Sequence, residues 1–138
     1  MGQTYAVYLK VQFKDEEGAK KALKDKLNRE NEDNVSYGVE RLQSQHGFDL
    51  DNIIDLMSVF FCGFGNRLRR ETPDPDLLTT DFDACYAWEG VMQEAFNVMA
   101  PFLKDGSYIK IYPDSGKDVG VAMDGKSKWF YTDGPTSL

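Results

Sequence analysis

Hydrophobic and polar residues alternate along residues 4–14. One side of this segment carries large apolar residues: Tyr5, Val7, Leu9, Val11 and Phe13. A period of two predicts a β-strand with one buried face. Acidic residues follow at positions 15–17, and apolar residues then recur at helical spacing up to a polar run over residues 28–34. We therefore expect an amphipathic helix directly after the strand.

The middle of the chain predicts two helices. Residues 35–47 favour a short, mostly solvated helix, although Gly38 lowers its helical propensity by about 1 kcal/mol relative to alanine. Residues 53–61 are more apolar and predict a second, largely buried helix. We expect Asp49 or Asp51 to cap its start and the glycines after it to end it.

Residues 66–80 predict an extended, solvated loop, because prolines alternate with aspartates there. Thr80 and Asp83 have the spacing of a helix-capping box. Behind them an apolar stripe at helical spacing over residues 84–103 predicts the longest helix of the chain. Pro101 is expected to kink or end this helix, because its ring removes a backbone donor.

The last third of the chain changes to short runs of β-branched and aromatic residues. These runs cover residues 107–112, 119–123 and 128–131. Turn residues separate them, and Asp124-Gly125 is a strong signal for a two-residue hairpin. The pattern predicts a three-stranded antiparallel meander.

Together these elements predict the α+β class, with a mainly antiparallel sheet. The N-terminal strand and the C-terminal meander would form the sheet, with about three helices packed on one face. No repeat or composition shift marks a second domain, so we expect residues 1–138 to form one domain, with a flexible tail over residues 131–138.

Composition indicates a protein that builds its core without cross-links. The chain has 138 residues, 41% of them hydrophobic, and a chain of this length buries a full core without disulfides or a structural metal. Cys62 and Cys85 lie among apolar or aromatic residues, as free thiols in a reducing compartment do. No run is long and apolar enough to span a bilayer, and no export signal begins the sequence. We expect a cytoplasmic protein that does not bind membranes.

Candidate catalytic chemistry is sparse. His46 is the single histidine, which limits schemes with a cysteine or serine nucleophile and many metal sites. Neither Cys62 nor Cys85 has the electropositive setting of a reactive thiol. The aspartates lack the spacing of a calcium loop and are explained by helix capping and solvated loops. We expect no catalytic residue, metal or cofactor, and favour a protein that is not an enzyme.

Charge is unevenly distributed along the chain, whose net charge is -7. Residues 10–29 contain seven basic and four acidic residues, whereas residues 71–105 contain eight acidic residues and one lysine. We expect surfaces of opposite sign, which steer association with charged partners. The leading hypothesis is a small acidic interaction or regulatory protein that binds a basic surface of a partner protein, a class that includes inhibitors and nucleic-acid mimics. Its candidate partner-binding residues are Glu71, Asp74, Asp76, Asp81 and Asp83.

Other functions stay open. Nucleic-acid binding is disfavoured by the acidic net charge, although one set of residues could form a stacking surface on a sheet: Tyr8, Tyr108, Tyr112, Lys10 and Lys110. A carboxylate- or metal-dependent catalytic or ligand-binding domain needs its acidic groups, with Cys85 or His46, to converge in a pocket. Acidic character of this size also simply aids solubility in small domains. The oligomeric state is open, and the edge of the meander near Trp129 is one possible contact between copies.

Overall fold

The structure is a computed structural model that describes residues 4–33, 38–61, 68, 77–85, 89–112 and 116–133. Its strands are β1 (Thr4–Gln12), β2 (Leu77–Cys85), β3 (Tyr108–Ile111), β4 (Gly116–Met123) and β5 (Lys126–Asp133). Its α-helices are α1 (Glu16–Asp33), α2 (Val39–His46), α3 (Ile53–Phe61) and α4 (Glu89–Met99), and a 3-10 helix (Ala100–Phe102) follows α4.

The strands form one antiparallel sheet in the order β2-β1-β3-β4-β5. The N-terminal strand therefore lies inside the sheet, between β2 and the first strand of the meander. Tyr8 pairs with Asp81 on one side and with Lys110 on the other. The α+β class predicted from the sequence is confirmed, with a fifth strand that the sequence analysis did not predict.

Side-chain caps define where the helices begin. The Gly18 amide donates to Asp15 Oδ1 at 3.0 Å, so Asp15 caps α1 as an aspartate before a helix commonly does. For α3 the expected caps were wrong. Asn52 Oδ1 accepts the Ile54 amide at 2.8 Å and the Asp55 amide at 3.3 Å, whereas Asp49 Oδ1 accepts the Asp51 amide one turn earlier.

Helices α1, α3 and α4 pack on one another and cover one face of the sheet. The buried positions of β1 are Val7, Leu9 and Val11, and those of β3 are Ile109 and Ile111. Helix α3 is buried from Leu56 to Phe61, as its apolar composition predicts. These residues join one hydrophobic core, which fixes the sheet against the helical layer. In the part of the chain that the structure describes, no helix is long and apolar enough to span a membrane.

Residues 77–85 correct the sequence analysis. The expected loop and capping box around Thr80 are replaced by β2, which pairs with β1 over its whole length. The helix expected over residues 84–103 is correspondingly shorter, because α4 runs from Glu89 to Met99. Its end agrees with the prediction, since Pro101 lies in the 3-10 helix that follows. Among the helices of the described residues, α1 is the longest, with 18 residues.

The second half of the sheet follows the predicted meander. Asp124 and Gly125 connect β4 to β5 with φ angles of 55° and 76°, the left-handed backbone of a tight hairpin turn. Strand β5 continues to Asp133, so the first three residues of the expected 131–138 tail belong to the sheet. Residues 134–138 lie outside the described residues.

Candidate interaction surfaces

The predicted acidic residues divide between a strand and the undescribed part of the chain. Asp81 and Asp83 belong to β2, where they pair with Tyr8 and Ala6 of β1. Glu71, Asp74 and Asp76 lie outside the described residues. Strand β2 is the first in the order of the sheet, so its other edge pairs with no strand that the structure describes. The acidic positions thus lie on an edge strand.

The face of the sheet opposite the helices forms a second surface. We call it the open face, and its positions on β1 and on β3 to β5 are Tyr8, Lys10, Tyr108, Lys110, Val119, Val121, Met123, Lys126, Lys128 and Phe130. The register of β2 gives Asp81 and Asp83 positions on the same face, beside Tyr8 and Ala6. Tyr8 is 44% exposed, Met123 40% and Phe130 57%. These are the large apolar side chains that are exposed in the described part of the chain, and all of them belong to the open face. Clustered exposed apolar groups commonly mark an interaction site.

Aromatic rings and lysines alternate on the open face. Tyr8 pairs across strands with Lys110, and Lys10 pairs with Tyr108. The Lys110 Nζ lies 4.9 Å from the centroid of the Tyr108 ring, within cation–π distance. The ring of Tyr8 meets that of Tyr112 edge to face, with centroids 5.6 Å apart. These contacts hold the rings and one ammonium group at defined places on the surface.

Several lysines of the segment over residues 10–29, which is rich in basic residues, pair with carboxylates in the folded chain. Lys20 Nζ lies 2.8 Å from Glu17 Oε1, and Lys24 Nζ lies 2.5 Å from Asp51 Oδ1. The hydrogen bond from Lys24, with the charge of that lysine, holds the pKa of Asp51 below its ordinary value. The hydrogen bond with Glu17 raises the pKa of Lys20. Helix α1 as a whole contains five basic and six acidic residues, so it carries no excess of positive charge.

Lys26 is buried, and its neighbours explain how the fold accepts it. Its Nζ lies 3.1 Å from Glu30 Oε1 and 3.2 Å from Glu94 Oε2. It also lies 5.7 Å from the centroid of the Phe60 ring. The aliphatic part of the side chain packs between α1, α3 and α4 while the ammonium group reaches carboxylates at the rim. Lys26 is a structural residue of the helical layer.

Two small cavities lie among the described residues. One of about 200 Å³ is lined by Lys10, Gln12, Asp105, Gly106 and Ser107, and one of about 210 Å³ by Lys24, Leu27, Asn28, Gln43, Leu50 and Asp51. Both are smaller than the roughly 300 Å³ at which ligand pockets begin. The buried Ser107 hydroxyl accepts the Gln12 amide at 3.0 Å, so it joins β1 to the start of β3.

The residues considered for catalysis are only partly described. Cys85 ends strand β2, where the sequence analysis expected a helix. Cys62 lies outside the described residues, and of His46 only the backbone, at the end of α2, is described. Among the described residues, no three His, Cys, Asp or Glu side chains converge in a group that would hold a metal ion.

Sequence reasoning found the part of the open face that lies on β1 and β3. It grouped Tyr8, Lys10, Tyr108 and Lys110, since alternation along each strand shows which residues share a face. It missed Phe130 and Lys128. These residues lie on the open face because β5 pairs with β4 and β4 pairs with β3, where Val119 and Val121 are the intermediate positions. The alternation of β5, with lysine, lysine and phenylalanine at every second position from 126, is the signal that would have found them.

Comparison with models of known protein families, with curated proteins and with solved structures found no match for this chain.

Proposed function

We propose that this protein is a small, acidic, non-enzymatic interaction protein that binds a basic surface of a partner protein. The acidic residues that would make the contact are those singled out from the sequence: Glu71, Asp74, Asp76, Asp81 and Asp83. The proposal assigns the protein to the cytoplasm, because its cysteines have the sequence setting of free thiols.

The position of Asp81 and Asp83 on an edge strand supports the proposal. Edge strands offer backbone donors and acceptors to a partner, and partners often extend a sheet there. The acidic segment over residues 71–76 leads directly into this strand. Carboxylates beside a free edge combine backbone pairing with electrostatic steering, which raises the rate of association with a basic partner.

The same chain offers little to support a catalytic alternative. The two cavities of the described residues are small, and neither is lined by a cysteine or the histidine. The Ser107 hydroxyl and the Asp51 carboxylate are both engaged in contacts between elements of the fold. We therefore propose no catalytic residue and no cofactor.

A capture experiment from lysate of the native host tests the proposal. The tagged wild-type protein and the variant Asp81→Asn with Asp83→Asn are compared as baits at low and high salt, with mass spectrometry of what they retain. We expect the wild type to retain a partner with a basic surface that leaves as salt rises, since exposed charge pairs are screened. The variant should retain several-fold less of it.

A matched control variant distinguishes the loss of this binding site from a general effect of net charge on retention. Asp25 and Glu32 are exposed on α1, and Asp25→Asn with Glu32→Gln removes the same amount of negative charge. Circular dichroism of each bait shows whether it is folded. Retention of the same partner at wild-type level by the β2 variant, or equal loss with the α1 control, would contradict the proposal.

A further inference from the structure

The open face combines rings and cations in two rows that cross the sheet. From β2 to β5, one row runs Asp81, Tyr8, Lys110, Val119 and Phe130, and its neighbour runs Thr79, Lys10, Tyr108, Val121 and Lys128. Adjacent strands are about 4.8 Å apart, so Tyr8 and Phe130 are separated by roughly 14 Å. A ring thus stands near each end of the first row, with a lysine between them. Each row carries both apolar and positive groups.

The lysines of the open face differ from those of α1 in their neighbours. None of the ion pairs formed within the described part of the chain involves Lys10, Lys110, Lys126 or Lys128. Lys110 contacts a ring rather than a carboxylate. Tyr8 and Phe130 are among the most exposed large side chains of the described residues. This surface therefore presents positive charge and ring faces together to solvent.

We infer that the open face binds a single-stranded polynucleotide. Bases stack on exposed aromatic rings whatever their identity, and lysines between the rings neutralise the phosphates that link the bases. Tyr8 and Phe130 supply the stacking rings, and Lys10, Lys110 and Lys128 lie within reach of the connecting backbone. A duplex is excluded from this mode of binding, because its bases are already stacked and paired.

The carboxylates of the helical layer are too distant from the open face to oppose this inference. Screening limits the field of an exposed charge to about 8 Å at physiological salt. The helical layer is about 10 Å thick, so the carboxylates on its outer side lie beyond that range from the open face. The carboxylates of Glu17, Asp51 and Glu94 are also paired with lysines of α1. On the open face itself, the four lysines Lys10, Lys110, Lys126 and Lys128 outnumber the two aspartate positions of β2, Asp81 and Asp83, which lie at one end of the face.

Charge and shape together favour this occupant over an acidic polypeptide. Glutamate and aspartate side chains would satisfy the lysines but leave the exposed rings without partners. A second copy of the chain, stacked face to face along β3, would bring Lys110 close to Lys110, and like charges that approach closely repel. A polynucleotide satisfies both the rings and the lysines.

The test is a titration of fluorescently labelled oligodeoxythymidine of about 20 nucleotides, followed by anisotropy, with the full wild-type chain. We expect a dissociation constant of about 1–100 µM at physiological salt, tighter at lower salt, and much weaker binding of a duplex of equal length. Tyr8→Ala and Phe130→Ala should each weaken binding about fivefold or more.

Charge variants identify the surface. Lys10→Glu with Lys110→Glu should abolish most binding and lower the slope of log affinity against log salt by about 1.4, which corresponds to two phosphate contacts. Lys21→Glu with Arg29→Glu changes the net charge equally on exposed positions of α1 and should bind nearly as the wild type does. Asp81→Asn with Asp83→Asn should bind the oligonucleotide at least as tightly as the wild type, whereas the proposed function predicts that this variant loses its protein partner.

Four results would overturn the inference. They are absence of oligonucleotide binding at about 20 mM salt, equal affinity for single strand and duplex, equal loss with the α1 control, and tighter binding of labelled polyglutamate than of the oligonucleotide through the same lysines. The last result would assign the open face to an acidic polypeptide. Circular dichroism of every variant excludes unfolding as the cause of lost binding.

Discussion

At the scale of single residues, lysine has three different roles in this protein, and its neighbours decide which. Lys26 is buried with its ammonium group between two glutamates, Lys24 pairs with an exposed aspartate, and Lys110 lies over a tyrosine ring. Only the last is on the surface opposite the helices. A count of basic residues along the chain therefore does not reveal where the protein is positive.

Lys26 tests how a buried cation contributes to stability. We expect Lys26→Met to leave the free energy of unfolding within about 1 kcal/mol of the wild type, because methionine keeps the apolar packing and removes a charge that is costly to bury. Lys26→Ala should lower it by about 2 kcal/mol, since the buried methylenes are lost. Urea denaturation followed by circular dichroism measures both. Equal destabilisation by the two variants would show that the charge itself stabilises the fold.

Gly120 tests the packing of β4 against β5. A Cβ at this position would lie 2.6–2.8 Å from three carbon atoms of the Trp129 ring, which also contacts Phe96 and donates from Nε1 to Asn97. Because the ring is held on several sides, Gly120→Ala should lower the free energy of unfolding by about 1–3 kcal/mol. Thermal and urea denaturation measure the change.

Gly90 is the matched control for this substitution. It is a helical, exposed glycine of α4 with no atom within 4 Å of an added Cβ. Gly90→Ala should leave stability unchanged or raise it by up to about 1 kcal/mol, because alanine is the better helix former. If Gly120→Ala and Gly90→Ala changed the free energy of unfolding equally, the close approach of Trp129 would not be the reason for a glycine at position 120.

At the scale of elements, most of the fold is readable from local pattern and one strand is not. The positions of β1, α1 and α3 follow from alternation and apolar spacing within each segment, although α1 continues to Asp33 through the polar run at which it was expected to end. In β2 the alternation is also present, since Leu78 and Phe82 pair with Val11 and Val7 of β1. The residues around Thr80 also fit a helix cap that is followed by an apolar stripe at helical spacing. Only the pairing with β1 decides between a strand and a helix here. Hence the acidic residues 81 and 83 were predicted, but their place on an edge strand was not.

The contact between α1 and the segment before α3 gives a pH-dependent contribution to stability. The folded-state pKa of Asp51 lies below its ordinary value of 3.8, because Lys24 stabilises the charged form. This contribution is present above the unfolded-state pKa and is lost as pH falls through the folded-state value. Asp51→Asn should therefore be less stable than the wild type near pH 6, and the difference should shrink towards about pH 3. Urea denaturation at the two pH values tests this, and a difference that does not depend on pH would contradict it.

The turn between β4 and β5 tests how much the left-handed backbone of the hairpin contributes to stability. Gly125 has a φ of 76°, which costs an L side chain about 1–2 kcal/mol. Gly125→Ala should lower the free energy of unfolding by that amount, whereas Asp124→Asn should stay within about 0.5 kcal/mol, because asparagine tolerates the same backbone. Thermal denaturation compares the two, and a neutral Gly125→Ala would show that the turn relaxes without cost.

At the scale of the whole molecule, the two layers present different surfaces. The helical layer pairs several of its lysines with carboxylates, while the sheet layer combines an edge strand carrying Asp81 and Asp83 with an open face of rings and lysines. The sequence analysis expected opposite charges on different elements, but α1 contains five basic and six acidic residues, and several of its lysines pair with carboxylates. Both proposed binding surfaces consequently lie on the sheet.

The claim that the protein acts by binding a partner at the edge of its sheet is tested most directly by carboxyl footprinting. The wild-type protein is labelled with a carboxyl-reactive reagent, free and in the complex retained on the bait, and mass spectrometry reads the labelling of each acidic residue. We predict that Asp81 and Asp83 are protected in the complex while Asp25 and Glu32 of α1 react as in the free protein. Protection of the α1 carboxylates, with Asp81 and Asp83 labelled as before, would contradict the claim.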